Sequence, residues 1–226
     1  MTNKKRNKNA DSNPAFDELF LQGKSDPPKF AALWFSQDGD LGMYFYGYEN
    51  ATKILLDWFS KSNGDNATVY PLIFLIRHTI EIGLKESIRR ALILTGRTID
   101  PEEKYHHKLK NLSETLEDLM KSYKISENND WVNTREFINK LQDADPEATF
   151  GKYSMFKNGD PYSVKGNVYA GKIVEMGMNA IDTLDSLLAM LEEYLRMQSE
   201  YNREIGREYK NVRRSTAEER ARENRN

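Results

Sequence analysis

The chain predicts an all-α protein, an up-and-down bundle of four main helices, and three observations carry that expectation. Apolar residues recur at three- and four-residue steps through long stretches of the chain, which is the period of a helix with one buried face. There is no strand–helix–strand alternation and no internal repeat. The length, 226 residues, suffices to bury a sizeable core.

Residues 1–13 are basic and polar, carry nothing to bury and are expected to be disordered. From Pro14 onward AFDELFLQG and the residues after PPKF suggest two short helical pieces ahead of the bundle. Between Leu41 and Ser60 the positions Tyr44, Tyr48, Ala51, Leu55 and Trp58 form one helical stripe. The polar segment SKSNGDNAT ends it. The long central helix then starts with Pro71 in its first turn, where a missing N–H does no harm, and stops near Thr95, where Gly96 supplies the turn.

A third helix is expected from about Tyr105 to Tyr123, returning antiparallel to the central one, with Leu109, Leu112, Leu116 and Leu119 or Met120 inside. A fourth covers Asn129–Leu141 with Trp131, Phe137, Ile138 and Leu141. The Gly-, Pro- and aromatic-rich residues from Ala144 to Asn167 read as an irregular or hairpin insert. A last long helix from about Val168 to Met197 shows Ile173, Met176, Ile181, Leu184, Leu187, Leu188, Leu191 and Leu195 at helical spacing. The bundle domain is thus expected over 14–198, and 199–226 is a charged arm, helical for a few turns and then frayed, without an apolar stripe.

Lys plus Arg number 33 against 35 Asp plus Glu, so no overall basic field points to nucleic acid, although a local patch would suffice for RNA. The absence of cysteine excludes disulfides and zinc–thiolate sites. The polar N-terminus is unlike a secretory signal, and the charges inside the longest apolar run argue against a membrane span, so a cytoplasmic location is expected.

That apolar run, VYPLIFLIRHTIEIGLKESIRRALIL, carries Arg77, His78, Glu81 and Lys85 at its centre. On a helix, residues four apart advance by about 40°, so Arg77, Glu81 and Lys85 form a plus-minus-plus ladder in which Glu81 reaches both neighbours, with His78 and Arg89 on the same arc. One reading is an ion ladder that fixes helix register. The other is a site: if His107, from the pair His106-His107 ahead of the third helix, meets the ladder, imidazole and cations together suit phosphodiester chemistry on RNA. Neither a cofactor nor a metal is implied, since Gly-rich phosphate loops, nucleophile elbows and His-Glu-x-x-His are all missing. Aromatics and lysines interleaved between Phe150 and Tyr169 either stack nucleotides or attach the insert to the bundle.

The runs YPLIFLIRHTIEIGLKESI, HHKLKNLSETL and DADPEATFGKY, preceded by WFSQDGDLGMYFYGYENATKILLDWF, resemble bacterial proteins of the HEPN superfamily over residues 15–195. The resemblance implies a HEPN-like helical bundle, often a homodimer, acting in prokaryotic defence of the toxin–antitoxin or abortive-infection type, with a partner encoded nearby and metal-independent RNase activity in many members. It marks Arg77, His78, Glu81, Lys85 and His107 as candidate catalytic residues, Asp145 as a matched position, and Lys152 and Tyr153 as candidate substrate-binding residues. Two elements depart from the pattern: His107-Lys108-Leu109 stands where His-Asp-Leu is usual, and Lys152 stands in for an arginine. No histidine follows an arginine at the four-to-six-residue interval of the active RNases. Either Arg77 and His107 assemble an equivalent site from different helices, or the chain is a non-catalytic interaction module: an antitoxin, sensor or scaffold.

Overall fold

In the computed structural model, residues 41–62, 67–98, 107–149, 152 and 170–223 are described, the side chains as far as Thr216. They form five α-helices: α1 (Gly42–Lys61), α2 (Val69–Thr95), α3 (Leu109–Leu119), α4 (Asn129–Ala144) and α5 (Ala170–Glu223). Two single-turn 3₁₀ segments, Lys121–Tyr123 and Ile125–Glu127, join α3 to α4, and no strand occurs among the described residues. The all-α class is therefore as expected. The residues for which a disordered N-terminus, two short helices before Leu41 and most of the insert are expected fall outside the described residues.

Helix α2 is the axis of the molecule: α1, α3 and α5 pack directly against it, and α4 closes the far side by packing on α3 and α5. Leu72, Ile76, Ile80, Leu84 and Ile88 are wholly buried along it. Each such side chain contributes about 1.5 to 3 kcal/mol, the gain that offsets the burial of charges on the same helix. Gly96 ends α2 in the left-handed conformation at φ 65°, the stop expected from the sequence.

The buried face of α1 lies about one residue away from the expected stripe. Phe45, Glu49 and Thr52 are buried, with Tyr48, Leu55, Leu56 and Phe59 half-buried, whereas Tyr44, Ala51 and Trp58 turn outward. The cause is on α2. Gly83 leaves a slot for the Phe45 ring, and a Cβ at that position would stand 2.8 Å from Phe45 Cε2. One turn along, the Thr52 and Thr79 hydroxyls meet at 3.3 Å and each also bonds the carbonyl four residues back.

The strict up-and-down order fails at α3, which runs in the same sense as α2. His107, just before α3, touches Glu81 in the middle of α2, and Asp118 near the end of α3 takes a 2.6 Å hydrogen bond from Arg97 beyond the end of α2. His107 therefore lies about 21 Å back along α2 from its end at Thr95, the rise of 14 helical residues. Eleven residues span up to about 36 Å, so the connection reaches comfortably. Helix α4 then returns antiparallel to α3, with Trp131 Nε1 and Arg135 both donating to Glu117 at 2.8 Å. Asn128 caps it by accepting from the Asp130 and Trp131 amides, and Trp131, Phe137, Ile138 and Leu141 are buried as expected.

Helix α3 is shorter than expected, eleven residues ending at Leu119, because the chain tightens into the 3₁₀ turns. Helix α5 is longer. It buries Ile181, Leu184, Leu187, Leu188 and Leu191 against the body, and the arm after Ser199 continues as unbroken helix to Glu223 rather than fraying after a few turns.

Candidate functional site

Glu81 organises the middle of α2. Its Oε1 accepts a 2.7 Å hydrogen bond from Lys85 Nζ, one turn along, and sits 2.8 Å from Nδ1 of His107. Burial alone would raise the Glu81 carboxyl, but the hydrogen bond and charge of Lys85, followed by those of His107, hold it below the ordinary carboxylate range. An ionised carboxylate only accepts, so Nδ1 of His107 carries the proton and donates it, leaving Nε2 as the basic nitrogen. The side chains of Glu81 and Lys85 are 9 % and 14 % exposed, whereas His107 is 78 % exposed. The arrangement is a histidine oriented by a buried carboxylate, with its second nitrogen at the surface.

The expected ladder is only half formed. Glu81 spends its oxygen on Lys85 and His107, while Arg77 turns away to Asp145, 3.9 Å from Nε to Oδ2. Arg77 is 4 % exposed, and none of its three guanidinium nitrogens finds a hydrogen-bond partner among the described residues. Burial lowers its affinity for a proton, opposed by the charges of Asp145 and Glu81. Asp145 is the first residue of a tight corner that follows α4, where its Oδ1 accepts from the Thr149 amide at 2.9 Å and Ala148 takes φ 55°.

Gln142, absent from any sequence expectation, fastens this corner to the histidine. Its Oε1 accepts from the Leu109 amide at 2.7 Å, and its Nε2 donates to the Pro146 carbonyl at 3.0 Å. One side chain thereby fixes the start of α3, two residues from His107, against the turn that carries Asp145. Nothing in the spacing of the sequence marks it, because its partners are backbone groups, one of them, Leu109, 33 positions away.

His78 belongs to a different face of α2. Its ring stacks on Phe74 at 5.5 Å with an interplanar angle of 11°, and Tyr48 meets it edge-on at 4.5 Å. Burial lowers its affinity for a proton; Glu81 opposes this, while Lys152, Lys85 and His107 add to it. His78 is thus the neutral, packed neighbour of the network. Lys152 is exposed and places Nζ 5.0 Å from the Phe74 ring centroid, so it borders the same surface. Tyr153, the other expected substrate-binding residue, lies outside the described residues, as do His106 and Phe150.

A second carboxylate on α2, Glu86, contrasts with Glu81 and was missed in the sequence. It is wholly buried and accepts from Arg89 Nε and Nη2 and from Arg90 Nε, all at 2.8 Å, and from the Leu41 amide at 3.0 Å. Burial would raise it, but these donors bring it down to about 2. Arg90 also donates to the Leu188 carbonyl at 3.1 Å and lies 3.3 Å from Glu192, tying α2 to α5. Arg89, expected beside the ladder, belongs here. The available signal was local: an acid followed by arginines three and four residues later.

The site therefore gathers His107, Glu81 and Lys85 in direct contact, sets Arg77 and Asp145 beneath them, and brings His78 and Lys152 to its edge. Among the described residues no group of three or more acidic or imidazole side chains is arranged to hold a metal ion, and no helix is long and apolar enough to cross a membrane. No protein-family model, no curated protein and no solved structure matches the chain.

Proposed function

We propose that the protein is a HEPN-like endoribonuclease of prokaryotic defence, working in the cytoplasm as a homodimer and cleaving RNA at His107 without a metal. The supporting observation is the 2.8 Å bond between His107 Nδ1 and Glu81, which leaves Nε2 basic at an exposed position. In the reaction His107 Nε2 takes the proton of a ribose 2′-hydroxyl, and the oxygen attacks the adjacent phosphorus. The bond to the 5′ oxygen breaks, that oxygen leaves with a proton from water, and a 2′,3′-cyclic phosphate remains. Glu81 stabilises the imidazolium that forms, as a buried carboxylate does for a catalytic histidine. Lys152 offsets charge on the phosphoryl oxygens, and Lys85 and Arg77 add to the positive field from behind.

The test is cleavage of end-labelled RNA in the presence of a chelator between about pH 5 and 8, the range over which an imidazole titrates. Products ending in cyclic phosphate are expected, with deoxy-substituted RNA inert at the cleaved position. His107→Ala and Glu81→Gln should each lower kcat by about 10²-fold or more. An inactive wild type, or a His107→Ala variant as active as wild type, would overturn the proposal.

A second reading, a non-catalytic HEPN-like interaction module, draws on the depth of the network: Arg77 and Glu81 are 4 % and 7 % exposed. It expects RNA to survive intact while Glu81→Ala costs about 3 to 5 kcal/mol of stability through the cations left unpaired.

A further inference from the structure

Helix α5 runs in the same sense as α2, from Gly177 beside Ile76 to Gln198, which donates to the Leu94 carbonyl at 3.2 Å. Beyond Gln198 it continues to Glu223, and every described side chain from Arg196 to Thr216 is exposed. The cations of this arm share one side. At 100° per residue Arg203, Arg207, Lys210 and Arg214 fall within an arc of about 60°, and no other residue between 203 and 214 enters it. The stripe is about 16.5 Å long, with about one cation to each turn.

The acids of the arm lie elsewhere. Glu204 and Glu208 stand about 60° and 100° beyond the edge of the stripe. Arg196, on the same line but nearer the body, is already paired with Glu193 at 2.6 Å and Glu200 at 2.9 Å. The side chains of Arg203, Arg207 and Lys210 make no ion pair or hydrogen bond among the described residues. Like charges three and four residues apart on an exposed helix repel one another. A line of negative charge laid along the stripe removes that repulsion.

We infer that this stripe binds the phosphate backbone of single-stranded RNA and anchors it away from His107. Its first cation, Arg203, lies about 27 Å beyond the level of Glu81, the rise of 13 residues of α2 and 5 of α5. A stripe so narrow on one helix meets a single line of charge rather than a broad surface, and the phosphates of a strand supply one. An anionic membrane is the poorer match. Met197, Tyr201, Ile205, Tyr209 and Val212, which a lipid surface would take up, lie on the opposite side of the helix with Glu208 among them. The choice of RNA over other linear polyanions rests on the ribonuclease reading of His107; the stripe itself does not.

Fluorescence anisotropy of a labelled 2′-O-methyl oligoribonucleotide, which the chemistry at His107 cannot cleave, measures binding to the full chain. Affinity should fall with salt at a log–log slope of about −3 or steeper, at about −0.7 for each phosphate neutralised on a single strand. Arg203→Gln, Arg207→Gln and Lys210→Gln combined should weaken binding by about tenfold or more near 0.1 M salt and make the slope shallower by about 2. Glutamine keeps the helix, so circular dichroism and the melting temperature of the body should not change. Arg207→Gln alone should move the slope by about 0.7, and Glu204→Gln with Glu208→Gln should bind at least as tightly as wild type. A wild type that does not bind at about 0.05 M salt, or a triple variant with wild-type affinity and slope, would overturn the inference. Loss of the triple variant from phosphatidylserine vesicles that hold the wild type, with RNA binding unchanged, would assign the stripe to a membrane instead. Cleavage of unmodified RNA is read separately. A chain that binds through the stripe and cleaves nothing keeps the inference and loses the ribonuclease reading, and a chain that cleaves while the triple variant binds normally does the reverse.

Discussion

Replacing Glu86 by glutamine should cost about 3 kcal/mol at neutral pH, and the figure follows from its surroundings. A carboxyl held at about 2 rather than its ordinary 4.5 is favoured in its charged form by that amount, at about 1.4 kcal/mol per pH unit. Glutamine keeps the shape but removes the negative charge to which Arg89 and Arg90 donate, and it turns an amide N–H toward those donors. The folded-state value is depressed, so the stabilisation is fully present above about pH 4.5 and is lost as pH falls toward about 2. Urea titrations of wild type and Glu86→Gln should therefore differ by about 3 kcal/mol at pH 7, with the gap closing progressively below pH 4.5. Thermal scans should show a fall of roughly 6 to 12 °C for a chain of this size. A deficit below about 1 kcal/mol at pH 7, or one that does not change between pH 4.5 and 2, would refute the account of a fully ionised carboxylate that holds Arg89, Arg90 and the Leu41 amide.

Three further outcomes rest on single contacts. Gly83→Ala should destabilise by about 1 to 3 kcal/mol in chemical denaturation, because its methyl meets the Phe45 ring at 2.8 Å, and Phe45→Leu in the same chain should recover part of the loss. Asn128→Ala removes the side-chain oxygen that caps α4 at both Asp130 and Trp131 and should cost about 1 kcal/mol by the same measurement. Lys124→Gly should raise the melting temperature slightly, by relieving a φ of 55° between the two 3₁₀ turns at a gain of about 0.5 to 1 kcal/mol.

The helices were legible to different degrees for identifiable reasons. Periodicity located α2, α4 and the buried half of α5 closely, and the end of α2 followed from Gly96. The face of α1 was misjudged because aromatic residues occur on both sides of it, so that Tyr44 and Phe45 compete for the inside. Gly83, a residue in another helix, decides between them. In α5 the apolar pattern thins out without ending, and helical backbone outlasts the burial that periodicity detects.

By itself the sequence determined that the chain is helical, where most helices lie, and that Arg77, His78, Glu81 and Lys85 share one helix, because these properties depend on residues only three or four positions apart. Only the tertiary structure decided how those charges are used. Glu81 can reach either Arg77 or Lys85 along the helix; the arrival of His107 on one side and Asp145 on the other directs Glu81 to Lys85 and Arg77 away from the ladder. That arrival depends on α3 running with α2 rather than against it, and the polar connection is long enough for both directions. Hydrogen-bond partners separated by 26 and 33 positions, His107 with Glu81 and Leu109 with Gln142, leave no local pattern. They are fixed by the packing of the helices that carry them.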